Sequence, residues 1–327
     1  MIFKTLRLIL FITIITSFAF AQKQNVYFLT NDGREVSLKD SADYIRVISE
    51  PDSGTTLFNY REYYKNGKVK TVGKTLVSST KTLEGQCAVF FENGRRKEIA
   101  HYKNGQISGE VYDYYPNGKI YKIKKPDYSV LDHPNEHGQA FFINSLLDST
   151  GIVLITDGNG NYINYQENFK IIAEEGSLKN GIKDGTWKGA GSETDSLKSF
   201  EEKYDNGKLI EGKSTGLNGK TYAYLQRQVN PEFDGGDKAF YKYLSTTIRY
   251  PKVAKEYNIT GQVFIQFYVE PNGNLTHFVI VRSPDSSLSN EVLRIMQACP
   301  SWKPGLEFGK PVRVKYTVPV NFSMLSN

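Results

Sequence analysis

The chain is poor in the residues that do chemistry. Its 327 residues include four histidines and two cysteines. No Ser/His/Asp set, Cys/His pair or coupled carboxylates stand at an informative spacing, so no enzyme is expected and no catalytic residue is nominated. Cys87 and Cys299 fall in different halves of the chain and read as free, buried thiols, because a cross-link needs close and well-aligned Cβ atoms. No cofactor and no metal is implied. The net charge is +6, yet no Lys/Arg cluster or RNA-binding motif accompanies it, which argues against nucleic acid as a partner. The 12 prolines are scattered, so no proline-rich spacer is present.

Two stretches imitate metal sites without supporting one. His133-Pro134-Asn135-Glu136-His137 has the order of a zinc-peptidase helix. That chemistry needs both histidines on one helical face. Pro134 and Gly138 leave less than two turns of helix there, and the stretch reads as a polar loop. Asp157-Gly158-Asn159-Gly160-Asn161 begins like a calcium loop. Tyr162 then stands where glycine is needed and Asn168 where glutamate is needed, so a glycine-rich turn is expected.

Long apolar runs are missing after residue 21. Before it, Lys4 and Arg7 form a positive region, Leu8 to Phe20 is apolar, and Ala19-Phe20-Ala21 offers a small-x-small cleavage pattern. Residues 1–21 therefore read as a secretory signal peptide. As a helix the apolar run reaches about 21 Å, against about 30 Å for a hydrocarbon core. The alternative is an uncleaved anchor in the inner membrane. The expected location is the periplasm, or another extracytoplasmic space.

What the chain has is aromatics and glycine: 22 Tyr, 19 Phe and 28 Gly. This composition favours strands joined by tight turns. Over residues 22–229 a phrase recurs: an aromatic pair, then Asn-Gly, then a basic residue. It occurs as Tyr63-Tyr64-Lys65-Asn66-Gly67-Lys68, Phe90-Phe91-Glu92-Asn93-Gly94-Arg95 and Tyr114-Tyr115-Pro116-Asn117-Gly118-Lys119. Shorter copies surround Asn104-Gly105 and Asn206-Gly207. Asn-Gly between apolar runs predicts hairpins with type I′ turns, which need positive φ at both central residues. Glu84-Gly85, Gly109-Glu110 and Asp184-Gly185 read as strand starts after glycine turns. The spacing describes a repeat array, with aromatics packing hairpin on hairpin. It resembles degenerate MORN-type repeats from about Tyr60 to Gly212, with a diverged middle. Stacked hairpins of about a dozen strands would reach on the order of 60 Å.

Residues 230–327 read as a separate α+β domain. Asp237 is expected to cap a helix that buries Phe240, Tyr243, Leu244 and Ile248. After Tyr250-Pro251, a short helical turn should place Val253 and Ala254 inward. A strand from Gly261 puts Val263, Ile265, Phe267 and Val269 on one face and Gln262, Phe264, Gln266, Tyr268 and Glu270 on the other. Gly273 lies in the turn to Leu275–Arg282. Leu288, Val292, Ile295, Met296 and Cys299 mark one face of a helix with Ser287 or Ser289 as its cap. Trp302, held between Pro300 and Pro304, should cover the end of the core. The closing strand is expected over Val312–Phe322, with Val312, Val314, Tyr316, Val318, Val320 and Phe322 toward the helix and Arg313, Lys315, Thr317, Pro319 and Asn321 away. The minimal arrangement is a three-stranded antiparallel sheet with two helices on one face.

These positions resemble the C-terminal domain of TonB-family energy transducers. The resemblance rests on Tyr250-Pro251, Ala254, Gly261 with its alternating strand, Gly273, Trp302-Lys303-Pro304-Gly305, Gly309-Lys310-Pro311-Val312 and Pro319-Val320-Asn321-Phe322. It implies a sheet edge that accepts an extended segment of outer-membrane TonB-dependent receptors by strand addition. The implied binding edge is Val312, Arg313, Val314, Lys315, Tyr316, Thr317, Val318 and Val320. The family also implies a histidine-bearing anchor that couples to ExbB and ExbD. Here the first histidine is His101, and coupling would require the leader to stay uncleaved. A second class of function is a structural or cell-wall-associated protein whose repeats bind glycan, such as peptidoglycan, or protein through exposed tyrosines.

Overall fold

The computed structural model describes residues 23–127, 141–167, 169–191 and 197–324. The leader, the His133–His137 motif and Asn168 lie outside them. The chain forms two compact units, Met1–Val153 and Leu154–Asn327.

The first unit is an antiparallel meander. Its strands are β1 (Gln24–Leu29), β2 (Tyr44–Ser49), β3 (Phe58–Tyr64), β4 (Val69–Thr75), β5 (Leu83–Phe90), β6 (Arg96–Lys103), the two-residue β7 (Gln106–Ile107), β8 (Val111–Tyr114), β9 (Ile120–Pro126) and β10 (Phe141–Leu147). Each long strand pairs with the next, and β6 pairs with both β7 and β8. Ile48, Tyr60, Leu83 and Cys87 form a buried cluster, with Tyr27, Phe58 and Tyr102 packed on it.

The recurring Asn-Gly phrase builds two kinds of turn, not one. At Asn104-Gly105, Asn180-Gly181 and Asn206-Gly207 both residues have positive φ, as a type I′ hairpin requires. At Gly67, Gly94 and Gly118 only the glycine does. There Gly67 N–H donates to Tyr64 O and Tyr64 N–H to Lys68 O, and the pattern repeats at Phe91/Gly94 and Tyr115/Gly118. This is a three-residue loop, a type I turn followed by a left-handed glycine. The expectation of type I′ throughout is thus corrected. The residue before asparagine joins the loop, and the asparagine Oδ1 accepts from the N–H of the basic residue, as in Asn66 with Lys68.

That choice links each loop to the next. Asn66 donates to Glu92, Asn93 to Pro116 O and Asn117 to Ser149 O, at 3.0, 3.1 and 3.1 Å. Lys68, Arg95 and Lys119 donate to Glu92 O, Asn117 O and Thr150 O. The aromatic-x-Asn-Gly-basic phrase therefore encodes a ladder of turns as well as the turns themselves.

The array in the second unit comprises β11 (Val153–Thr156), β12 (Asn159–Tyr165), β13 (Ile172–Lys179), β14 (Ile182–Ala190), β15 (Leu197–Asp205), β16 (Lys208–Gly216) and β17 (Thr221–Tyr224), paired in sequence. Rings lie over glycines on neighbouring strands. A Cβ on Gly176 would fall 2.3 Å from the Trp187 ring, and one on Gly212 would fall 2.4 Å from the Tyr224 ring. Absent side chains here make room for rings, and Trp187 is fully buried as a result.

The rest of the unit runs β18 (Gln228–Val229), α1 (Gly236–Thr247), α2 (Lys252–Glu256), β19 (Gly261–Val269), β20 (Leu275–Arg282), α3 (Ser286–Gln297), β21 (Gly305–Glu307), β22 (Lys310–Val312) and β23 (Val314–Phe322). One sheet has the order β20-β19-β23 and a second the order β18-β21-β22. Val263, Ile265, Phe267 and Val269 meet Leu288, Val292, Ile295 and Met296, and all eight are wholly buried. The alternation along β19 and the helical spacing along α3 produce this core directly.

Several local expectations are corrected. Gly235, in the left-handed region, precedes α1, and Asp237 lies inside the first turn without capping it. Asp285 caps α3 by accepting from Ser287 N–H at 2.8 Å, and Ser287 and Ser289 donate their hydroxyls to the same residue. A carboxylate two residues before Ser287 and four before Ser289 outcompetes the serines as acceptor. Val253 is half exposed while Ala254 is buried, because five residues of α2 present too narrow a face for both. Val312 pairs with Gly305 in the small sheet, so the closing strand begins at Val314.

Candidate functional site

The candidate site is the outer edge of β23. Its inner edge pairs with β19 from Val314↔Val269 to Phe322↔Gly261. Among the described residues no strand pairs with the other edge. Pro319 sets the orientation of the backbone. It stands opposite Phe264 and has no N–H. The ladder to β19 stays whole only if the Pro319 nitrogen faces the open side. By strand alternation Lys315 and Thr317 then present N–H and C=O outward, while Val314, Tyr316 and Val318 bond to β19. Pro319 interrupts the outward donors between Thr317 and Asn321.

The side chains of β23 divide between two faces. Val318, Val320 and Phe322 are buried, and Tyr316 packs at 5.5 Å from Trp302 and 6.1 Å from Phe267, between ring centroids. On the outer face, Thr317 pairs with Gln266 and Asn321 with Gln262, while Lys315 is exposed. Arg313, the residue that joins β22 to β23, is held from three sides. Its guanidinium lies 4.0 Å from the Tyr268 ring centroid, 3.1 Å from Glu270 and 2.9 Å from His277 Nδ1. Glu270 also accepts from Thr276 at 2.6 Å. His277 sits at φ 53°, a left-handed position that few side chains adopt. Tyr268 and Glu270 are placed on this face by the sequence but not named as site residues, and His277 is not singled out there. The signal for the first two was there, since alternation puts them on the same face as Lys315.

The remaining motif residues build the frame behind the edge. Trp302 N–H donates to Gly273 O at 2.9 Å, and a Cβ on Gly273 would strike Trp302 O. Around the Trp302 ring stand Phe233, Phe240, Phe267 and Tyr316. Pro304 follows it, half-buried, and Gly305 lies under Val314, where a Cβ would be 2.5 Å away. Tyr250 donates to Ile259 O and meets the Phe322 ring edge-on, and Pro251 precedes α2. A Cβ on Gly261 would meet Pro284 at 2.8 Å. Burial pushes the Cys299 thiol up, and Cys87 is pushed up to about 11 for the same reason, so neither is poised as a nucleophile. Among the described residues no group of three or more His, Cys, Asp or Glu is placed to hold a metal ion. Among the same residues no helix is long and apolar enough to cross a membrane.

Residues 246–324 match the family described as Gram-negative bacterial TonB protein C-terminal. This segment, which contains β19, β20, α3 and β23, is a TonB C-terminal domain. A comparison with curated proteins finds no match.

Proposed function

We propose that the chain is a periplasmic TonB-like protein that acts by binding rather than catalysis. In this reading the edge of β23 docks an extended segment of an outer-membrane TonB-dependent receptor, in energy-coupled transport. The observation that carries it is the open edge of β23, with Lys315 and Thr317 turned outward ahead of Pro319. Main-chain bonds would supply the affinity at about 0.5–1.5 kcal/mol each, and side chains on alternate positions the selectivity. Residues 22–229 would stand in for a proline-rich spacer and set reach, with residues 230–327 as the docking domain. Coupling to ExbB and ExbD belongs to this reading only if residues 1–21 stay on the protein as an anchor.

Pull-down of the chain with peptides from receptor N-termini tests the proposal, alongside retention on purified peptidoglycan. Capture by the peptides is the expected result. Retention on peptidoglycan that receptor peptides leave unchanged, with no peptide capture, would transfer the function to a cell-wall-associated protein that does not transduce.

A further inference from the structure

The tip of the β21–β22 hairpin departs from the turn chemistry used elsewhere. Glu307 pairs with Lys310, which leaves Phe308-Gly309 as a two-residue loop. Their φ values are 48° and 76°, the same form as the Asn-Gly turns of the array. Asparagine suits the first position of such a turn, whereas phenylalanine there costs on the order of 1 kcal/mol or more. A bulky residue persists in that conformation when its surroundings hold it.

The surroundings are the last strands of the hairpin array. The Phe308 ring lies 5.2 Å from the Phe200 ring and meets Tyr224 edge-on at 5.6 Å. Phe308 N–H donates to Arg227 O at 2.6 Å, and the buried Ser214 hydroxyl donates to Phe308 O at 2.7 Å. Gly309 runs so close to β17 that a Cβ would lie 2.7 Å from Ala223 O. The Arg227 guanidinium stands 4.8 Å from the Phe200 ring and 5.3 Å from the Phe308 ring. The same group is anchored to Glu202 at 2.5 and 2.7 Å and to Glu174 at 3.1 Å. The space left beside the plug is about 20 Å³, room for about one water.

Beyond the tip, β22 ends at Val312 and β23 begins at Val314. Only Arg313 separates the plugged hairpin from the candidate docking strand. The linker is zipped to the same hairpin, with Gln228↔Glu307 and Val229↔Leu306.

We propose that Phe308 and Arg227 are positioning residues: they latch the β21–β22 hairpin into the end of the array, so that β23 is held by the array and not by a loose linker. The role assigned to β23 rests on the docking reading above, but the latch does not.

The test uses hydrogen exchange on the full chain without any peptide. Phe308→Asn is the informative variant, because it suits the turn and removes only the plug. Phe308→Tyr keeps a ring and serves as the rescue. In Phe308→Asn, exchange should rise about tenfold or more at 222–229 and 310–313. Exchange at Val292 and Ile295 in α3 should stay unchanged, and Phe308→Tyr should behave as wild type. Unchanged exchange at both faces of the latch, or an equal rise in α3, would overturn the proposal. Peptide titration of the same variants reads the docking proposal separately. Wild-type protein that captures no receptor peptide would end that reading while leaving the exchange result to stand.

Discussion

Glu202 shows how single residues hold the array together. Its side chain is fully buried, and Tyr204, Tyr224 and Arg227 all donate to it. Glu62 in the first unit repeats the device, with Tyr60 two residues away, Thr71 across the strand pair and Arg46 beside it. A buried carboxylate is tolerable only while its donors remain. Arg227→Met should therefore cost about 3 kcal/mol, the lower end of the range for stranding a buried charge, since Arg227 is itself partly exposed. Urea unfolding would measure it, and a loss under about 1 kcal/mol would contradict the assignment. Acid stability carries the same logic. Burial works to raise Glu62 and Glu174, but Tyr60, Lys81 and Thr71 around the first, and Lys183 and Arg227 around the second, hold both below the ordinary value of 4.5. A carboxyl depressed in the fold contributes stability above its unfolded value and loses it as pH falls through the folded one. Stability should thus decline as pH drops below 4.5, and Glu62→Gln should flatten that slope in a pH series of unfolding midpoints.

At the scale of elements, β19, β20 and α3 were legible because each obeys one period: Val263 to Val269 alternate, and Leu288 to Met296 recur at helical spacing. The turns were half legible. Asn104-Gly105 and Tyr64-Lys65-Asn66-Gly67 share a dipeptide, yet the first closes two residues and the second three, and each bonds to its neighbouring turn in its own way: Gly105 N–H donates to Leu83 O, and Asn66 donates to Glu92. The limits of β23 were misjudged for a related reason. Val312 continues the alternation of Val314 to Phe322, but it is claimed by Gly305 in a small sheet whose strands of two or three residues are too short to leave a pattern. Phe308 was likewise invisible, since only its φ and its distant ring partners mark it. The orientation of β23 yields a paired prediction. Tyr316→Pro removes a donor to β19 and should destabilise the domain by about 1–3 kcal/mol, since a carbonyl of β19 loses its partner. Thr317→Pro removes a donor that faces outward and should leave the fold intact by circular dichroism. Equal damage from both substitutions would refute the assigned orientation.

For the whole molecule, the parts are a hairpin array, the proposed latch and a TonB C-terminal domain whose sheet, among the described residues, ends on β20 at one side and on the open edge of β23 at the other. The array was readable from Asn-Gly spacing and the domain from its motif residues, whereas the junction sheet β18-β21-β22 emerged only from the structure. The central claim is that this edge receives an extended segment. Calorimetric titration of the full chain with a peptide from the N-terminus of a TonB-dependent receptor tests it most directly, with wild type and Thr317→Pro compared at equal folding. Saturable binding to wild type, weakened about tenfold in Thr317→Pro, is the predicted result. Equal affinity in the two proteins, or no binding to wild type, would contradict the account.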